Sequence, residues 1–263
     1  MDVLIVGAGS MGTWFGRAVD ATVAFADVDP ERAERAADAV GGVVADLEGD
    51  DRYDVVCLAV PMTHVSEAIA DHAGRADRAV VDVSGVMVEP LEAMATHAPD
   101  CERVSLHPLF GPERTPGTIA VVAEEPGPTT DAVLESLRRR GNELLETTAA
   151  EHDEAMETIQ AATHAAVLSF AVAMDPAPDG FRTPIYDGLR TLVEQLTEGT
   201  PRVYSDIQSA FDGADEIAAA ATAIADADPD EFETLYREAA SEWQQADGVD
   251  GATTDEDDGD REP

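Results

Sequence analysis

The junction at the start of the chain, where "DVLIV" runs directly into "GAGSMG", constrains the fold more than any other stretch. The first run, Asp2 to Val6, is almost continuously apolar, as a strand is when helices cover both faces of its sheet. Gly7, Gly9 and Gly12 then stand in G-x-G-x-x-G spacing. The first glycine of such a turn permits a sharp reversal and the second lets a pyrophosphate approach the backbone. The third allows the following helix to pack closely. The junction therefore asks for a strand, a tight turn and a helix, the opening unit of a sheet with crossover helices.

The same alternation continues through the first half. "ATVAFAD", "DVVCLAV", "AVVDVS", "RVSLH" and "TIAVVA" are further strand candidates, and "PERAERAADAV", "THVSEAIADHAG" and "VEPLEAMATHA" read as helices between them. This predicts an α/β architecture, a Rossmann-type doubly wound parallel sheet forming a dinucleotide-binding domain over residues 1–149. From about Ala150 the strand signal ends. "AEHDEAMETIQAATHAAVLSFAVAM", "PIYDGLRTLVEQL" and "PRVYSDIQSAF" read as helices, with two more running to Gln245. An all-helical C-terminal domain for substrate binding and dimerisation is expected over residues 150–246. Residues 247–263 have no apolar face to bury and are expected to form a disordered acidic tail.

Asp27 follows Gly7 by 20 residues, at the end of the second strand. A carboxylate there can accept from both ribose hydroxyls of NAD and repel the 2′-phosphate of NADP. Arg32 and Arg35 are near enough to keep NADP open. Gly7, Gly9, Ser10, Met11, Gly12 and Asp27 are the expected cofactor-binding residues. Val60 and Pro61, which close "LAVP", should form the floor beneath the cofactor.

The charge balance narrows the partners. The chain carries 55 acidic residues against 16 basic ones, a formal net charge of -39, and every basic residue is arginine. In roughly 1 M salt the Debye length is about 3 Å, so a surface that repels itself in dilute buffer becomes tolerable. The composition reads as salt adaptation, and it disfavours nucleic acid and anionic membranes as partners. No apolar run approaches a membrane span and no leader-like segment opens the chain, so a cytoplasmic location is expected. Cys57 and Cys101 suggest neither a disulfide framework nor a metal site.

A second constellation lies further along. "SLHPLFGPERTPG", from Ser105 to Gly117, is too rich in proline and glycine to continue a strand or helix, so His107 emerges where a strand gives way to a shaped loop. "HPLFGPE" (107–113), "EHDEAMETIQAATH" (151–164) and "TPIYDGLRTLVEQLTEGTPRVYSDIQ" (183–208) together closely resemble the prephenate dehydrogenase family of tyrosine biosynthesis. The resemblance runs from the glycine motif to the last helix near Trp243. It implies an NAD-dependent oxidative decarboxylation of prephenate or arogenate, with His107 as catalytic proton acceptor. It places Gln160 and His164, one helical turn apart, in the substrate pocket, and Glu113 near its mouth. A homodimer is implied by the resemblance alone. His152, beside Asp153, reads as a helix-start residue rather than a ligand.

Two departures from the family pattern bear on substrate binding. Where the family commonly has Asp-x-x-Ser-Val-Lys, this chain has "DVSGVM", with Gly85 at the serine position, Met87 at the lysine and Ser84 one residue early. Where the family has an arginine after Pro-x-Tyr, this chain has Asp187. Arg190 and Arg182 are the candidate replacements for holding a substrate carboxylate, and Asp187 is placed to pair with the amino group of arogenate. A hydroxyacid dehydrogenase of similar layout commonly transfers its proton through a lysine, which this chain lacks. A non-catalytic dinucleotide sensor stays open as the reading from a different class.

Overall fold

Local chemistry sets the element boundaries closely. In the computed structural model, which describes residues 1–175 and 178–249, the segment "PERAERAADAV" forms one helix over its whole length, Pro30–Val40. The Asp29 side chain accepts from the Glu31 amide at 3.1 Å, Pro30 occupies the first turn, and Gly41 ends the helix at φ 77°.

Eight strands, β1 (Asp2–Val6), β2 (Thr22–Ala26), β3 (Val43–Val44), β4 (Tyr53–Leu58), β5 (Ala76–Val83), β6 (Glu102–Pro108), β7 (Thr118–Glu125) and β8 (Glu143–Glu146), form one sheet. Their order is β3-β2-β1-β4-β5-β6-β7-β8. The helices of this half are α1 (Ser10–Ala18), α2 (Pro30–Val40), α3 (Val65–His72), α4 (Val88–His97) and α5 (Pro128–Arg139). Alternate residues of β1 serve opposite faces: Val3 and Ile5 pack with Phe15, Phe25 and Leu137, whereas Leu4 and Val6 pack with Ile69, Leu91 and Met94. Burying each such large side chain is worth about 1.5–3 kcal/mol. Both sheet faces are covered, which explains the unbroken apolar runs.

The sheet departs from the expected parallel form at one pair. β7 runs antiparallel to β6, with His107 opposite Ala120. Only residues 109–117 join these strands, and that link carries a single 3-10 turn, Pro112–Arg114, too short for the helical crossover a parallel pair needs. β3 and β8 were absent from the sequence expectation.

The strand pattern ends at β8, and helices follow: α6 (Ala149–Met156), a π-helical segment (Glu157–Ala162), α7 (Thr163–Ala173), α8 (Pro184–Thr197), α9 (Pro201–Ala210), α10 (Gly213–Asp226) and α11 (Pro229–Val249). Thr148 and Glu151 start α6 as a reciprocal capping box. By compactness the chain divides into Met1–Ala214 and Asp215 onward. Thus α6 to α9 belong to the same unit as the sheet, and the predicted 149/150 boundary is a change of secondary structure inside it. The reason lies in specific ties: α6 bonds to the start of α4, and α9 meets the loop after β4. The expected disordered tail is corrected at its first residues, since α11 continues through Val249; residues 250–263 lie outside the described residues. Among the described residues no helix is long and apolar enough to cross a membrane.

Candidate active site

The carboxyl ends of β1, β4, β5 and β6 lie on one edge of the sheet, and strand order reverses between β1 and β4. Such a switch point opens a crevice. Gly7 sits there at φ 98°, where a Cβ would come within 2.4 Å of the Ala59 carbonyl oxygen. A Cβ on Gly12 would lie 2.0 Å from the Gly7 oxygen, so α1 can approach β1 only with glycine at that position. Gly9 has open space instead, with nothing within 4 Å of its Cβ position and no side chain capping α1. Ser10 is exposed beside it and Met11 packs toward the core.

An uncapped helix N-terminus with a bare backbone approach is a site for a phosphate group. Asp27 completes it: Oδ2 accepts from the Ala8 amide at 2.7 Å and Oδ1 from the Asp29 amide at 2.9 Å, which fixes the carboxylate at the end of β2. Val60 is half-buried and Pro61 exposed at the neighbouring turn. These residues fit a bound dinucleotide.

His107 stands at the carboxyl end of β6, 8% exposed. The loop after it is pinned against the cofactor helix, for the Phe110 ring meets Trp14 of α1 edge-on at 5.5 Å and Trp14 Nε1 donates to Thr115 Oγ1 at 3.2 Å. His107 Nδ1 lies 2.8 Å from His152 Nε2, and His152 Nδ1 lies 2.7 Å from Asp153 Oδ1. A carboxylate only accepts, so His152 donates from Nδ1. In its neutral form His152 then accepts at Nε2, and His107 must donate from its own Nδ1. The remaining lone pair of His107, on Nε2, faces away from this chain of bonds. Three residues thus set one tautomer.

Asp153 also joins the two halves of the site. Its Oδ1 accepts from the Met87 amide at 3.0 Å and its Oδ2 from the Val88 amide at 3.1 Å, capping the start of α4. Burial alone would raise its pKa, but the bonds from His152 and these amides hold it below the ordinary carboxylate value. Burial, and then the neighbouring His152, push His107 down to about 3, with Asp153 opposing weakly. His107 is therefore neutral at physiological pH. His152 lies in the first turn of α6, as expected, and is in addition 3% exposed and buried against His107. Its adjacency to Asp153 was the available sequence signal.

Gln160 reaches His107, and His164 follows it along the helix. Gln160, within the π-helical segment, directs Nε2 to within 3.3 Å of His107 Nε2. One turn on, the His164 ring meets Tyr204 of α9 edge-on at 4.9 Å. Gln160 Oε1 and His164 Nδ1 are buried without a hydrogen-bond partner, and burial lowers the His164 pKa. Unpaired buried polar atoms on this face mark where a polar ligand would bind. Opposite them, a Cβ on Gly85 would lie 3.8 Å from His107 Nε2 and 2.7 Å from the Met62 sulfur. Position 85 faces His107, and Met62 fills the space a side chain there would need.

The other expected residues are placed differently. Ser84 is buried with its hydroxyl 3.4 Å from the Val86 amide. Glu113 is exposed on the turn after His107. Arg190 is flanked by carboxylates of its own helix, with Asp187 at 3.7 Å and Glu194 in direct contact. Arg182 is exposed ahead of α8.

Known proteins of similar sequence and fold share one family. A family model for the nucleotide-binding domain of prephenate dehydrogenase matches residues 16–123. A 4-amino-4-deoxyprephenate dehydrogenase of Streptomyces pristinaespiralis is 33% identical over 81% of this chain and 78% of its own length. A probable arogenate/prephenate dehydrogenase of Methanocaldococcus jannaschii is 24% identical, over 78% of this chain and 50% of that protein. Among solved structures, prephenate dehydrogenase from A. aeolicus, in complex with hydroxyphenyl propionate and NAD+, shares the fold at TM-score 0.69, with 15% identity over 95% of this chain and 96% of the other. The glycine turn, the family model and the relative from Streptomyces lead to one assignment: this chain belongs to the prephenate dehydrogenase family.

Proposed function

We propose that the chain catalyses the NAD-dependent oxidative decarboxylation of prephenate to 4-hydroxyphenylpyruvate. The observation that carries this reading is the His107–His152–Asp153 arrangement, which leaves His107 Nε2 unprotonated beside Gln160. When bound, NAD+ supplies the hydride acceptor. The ring hydroxyl donates to His107 Nε2 and accepts from the Gln160 amide. His107 takes the hydroxyl proton as the carbinol carbon gives up its hydride, and the resulting carbonyl draws the electrons released when the bond to the ring carboxylate breaks. Carbon dioxide departs, the ring becomes aromatic, and the phenolate recovers the proton from His107. Asp153 stabilises the imidazolium in between, and His152 holds the ring in place by accepting from Nδ1.

Asp27 supports NAD over NADP. Arg32 is paired with Asp29 at 3.4 Å and Arg35 with Glu31 at 3.4 Å, so both arginines that could greet a 2′-phosphate have carboxylates beside them. The functional unit of this reading is a homodimer, supported by the exposed apolar residues Val172, Phe181 and Ile185, at 88%, 82% and 79% exposure. A second substrate reading, 4-amino-4-deoxyprephenate, is favoured by the name of the Streptomyces relative. Arogenate is the third. Turnover of each with NAD and with NADP, at low and multimolar potassium chloride, distinguishes them. Reduced cofactor is expected fastest with prephenate and NAD, and turnover of none of the three, with NAD binding intact, would establish a sensor instead.

The depressed pKa of His107 gives the pH dependence its sign. A base must be unprotonated to act, and this one stays so far below the ordinary imidazole value of 6.5. The prephenate kcat/KM profile is expected to show no imidazole limb near pH 6.5 and to stay level to about pH 5. Stability moves the other way: between pH 6.5 and about 3 the unfolded chain takes up a proton the native state refuses. Acidification in that window removes up to about 1.4 kcal/mol per pH unit through this group. A kcat/KM limb near 6.5 would show that His107 titrates as a solvated imidazole.

A further inference from the structure

One continuous run of helix meets His107 at both ring nitrogens: His152 Nε2 lies 2.8 Å from Nδ1, and the Gln160 amide nitrogen lies 3.3 Å from Nε2. In a regular α-helix residues 152 and 160 would stand about 12 Å apart along the axis and about 80° apart around it, a poor match to two atoms of one imidazole. The run is not regular. Between α6 and α7 it widens into the π-helical turn Glu157–Ala162, where the Thr163 amide reaches the Thr158 carbonyl five residues back and the Thr163 hydroxyl donates to the same carbonyl at 3.0 Å. Such turns are rare beside the α form, so contacts from outside the run must favour this one. Two are present. Gln208 of α9 donates from Nε2 to the Ala161 carbonyl at 2.9 Å. Gly213, which follows α9, packs on the backbone of the same turn, where a Cβ would come within 2.5 Å of the Glu157 carbonyl oxygen and 2.7 Å of the Ala162 nitrogen.

We propose that Gln208 is a positioning residue for the reaction: by holding the Ala161 carbonyl it keeps the turn wide and so aims the Gln160 amide at the oxygen that His107 deprotonates. This rests on the prephenate dehydrogenase reading of the site. Gln160 Oε1 is buried without a hydrogen-bond partner among the described residues, so the far side of the amide is not what orients it. Its direction is inherited from the backbone, which Gln208 grips at the next residue. Closing the turn to α geometry would rotate Gln160 by up to about 100° relative to His152, and the amide would leave His107 while His152 stayed in place. The contact matters most during reaction. As the hydroxyl proton passes to His107, negative charge builds on the ring oxygen, and a donor aimed there acts on kcat more than on binding.

The test measures kcat and KM for prephenate, and the dissociation constant for NAD, in the native protein, Gln208→Met, Gln160→Ala and the double variant. Methionine keeps the unbranched chain and approximate volume of glutamine and removes the donor. Gln160→Ala is expected to lower kcat on the order of 10-fold and Gln208→Met roughly 3- to 10-fold, with KM and NAD affinity within about threefold of the native values. If Gln208 acts through Gln160, the double variant is no slower than Gln160→Ala to within about twofold, whereas independent structural losses would multiply to roughly 30- to 100-fold. A Gln208→Met kcat within about twofold of native, multiplied losses in the double variant, or loss of NAD binding together with kcat overturns the positioning role and leaves the dehydrogenase reading intact. Absence of turnover by the native protein overturns both.

Discussion

In turnover assays with prephenate, His107→Asn is expected to lower kcat by about 10²- to 10⁴-fold, the usual worth of a positioned general base. NAD affinity should not change, because the glycine turn is built from β1, α1 and the end of β2, where Asp27 is held by the Ala8 and Asp29 amides. Asparagine can donate from its amide toward His152 and so spare that buried ring an unpaired atom. What it lacks is a basic lone pair facing the substrate hydroxyl. Isothermal titration with NAD alongside the kinetic assay separates the two effects, and a variant that lost both would indicate collapse of the site.

His152→Leu should be the next most damaging change, lowering kcat on the order of 10²-fold although residue 152 touches no substrate in the proposed pose. Two consequences follow from removing the ring. The His107 Nδ1–H loses its acceptor at 2.8 Å, and the preference for an unprotonated Nε2 disappears with it. A structural role alone would produce additive losses. A relay predicts that His107→Asn/His152→Leu is no slower than His107→Asn, because groups acting as a unit cannot be lost twice. His152→Gln provides the rescue arm, since its amide oxygen can accept from His107. Full activity in His152→Leu would leave His107 to act without the relay.

Much of this architecture was legible because short-range chemistry and tertiary packing demand the same thing at the same residues. The α2 boundaries follow from Asp29, Pro30 and Gly41, and the cofactor turn from three glycines, two of which admit no Cβ. The place of His107 at the end of a strand was legible from the loop that follows it. The missing pieces depend on contacts between distant residues. β3 has two residues and β8 is a largely exposed edge, so neither carries a periodic signal. The antiparallel turn of β7 follows from a short link rather than from strand composition. The contact of His152 with His107 requires α6 to lie beside β6, 45 residues away along the chain. Arg202 meets His64 across 138 residues, and nothing in the local sequence of either announces the other.

The shared use of Asp153 has an implication for how the enzyme guards its chemistry. The carboxylate that orients the histidine pair is the same one that holds the amides of Met87 and Val88, at the head of a helix belonging to the nucleotide sheet. The bond cannot be broken on one side without disturbing the other. Under the proposed reading, separation of α6 from α4 would leave the glycine turn in place yet free the His107 proton to sit on either nitrogen. If His107 is the base proposed above, Asp153 would tie its tautomer to the seating of α6 against α4.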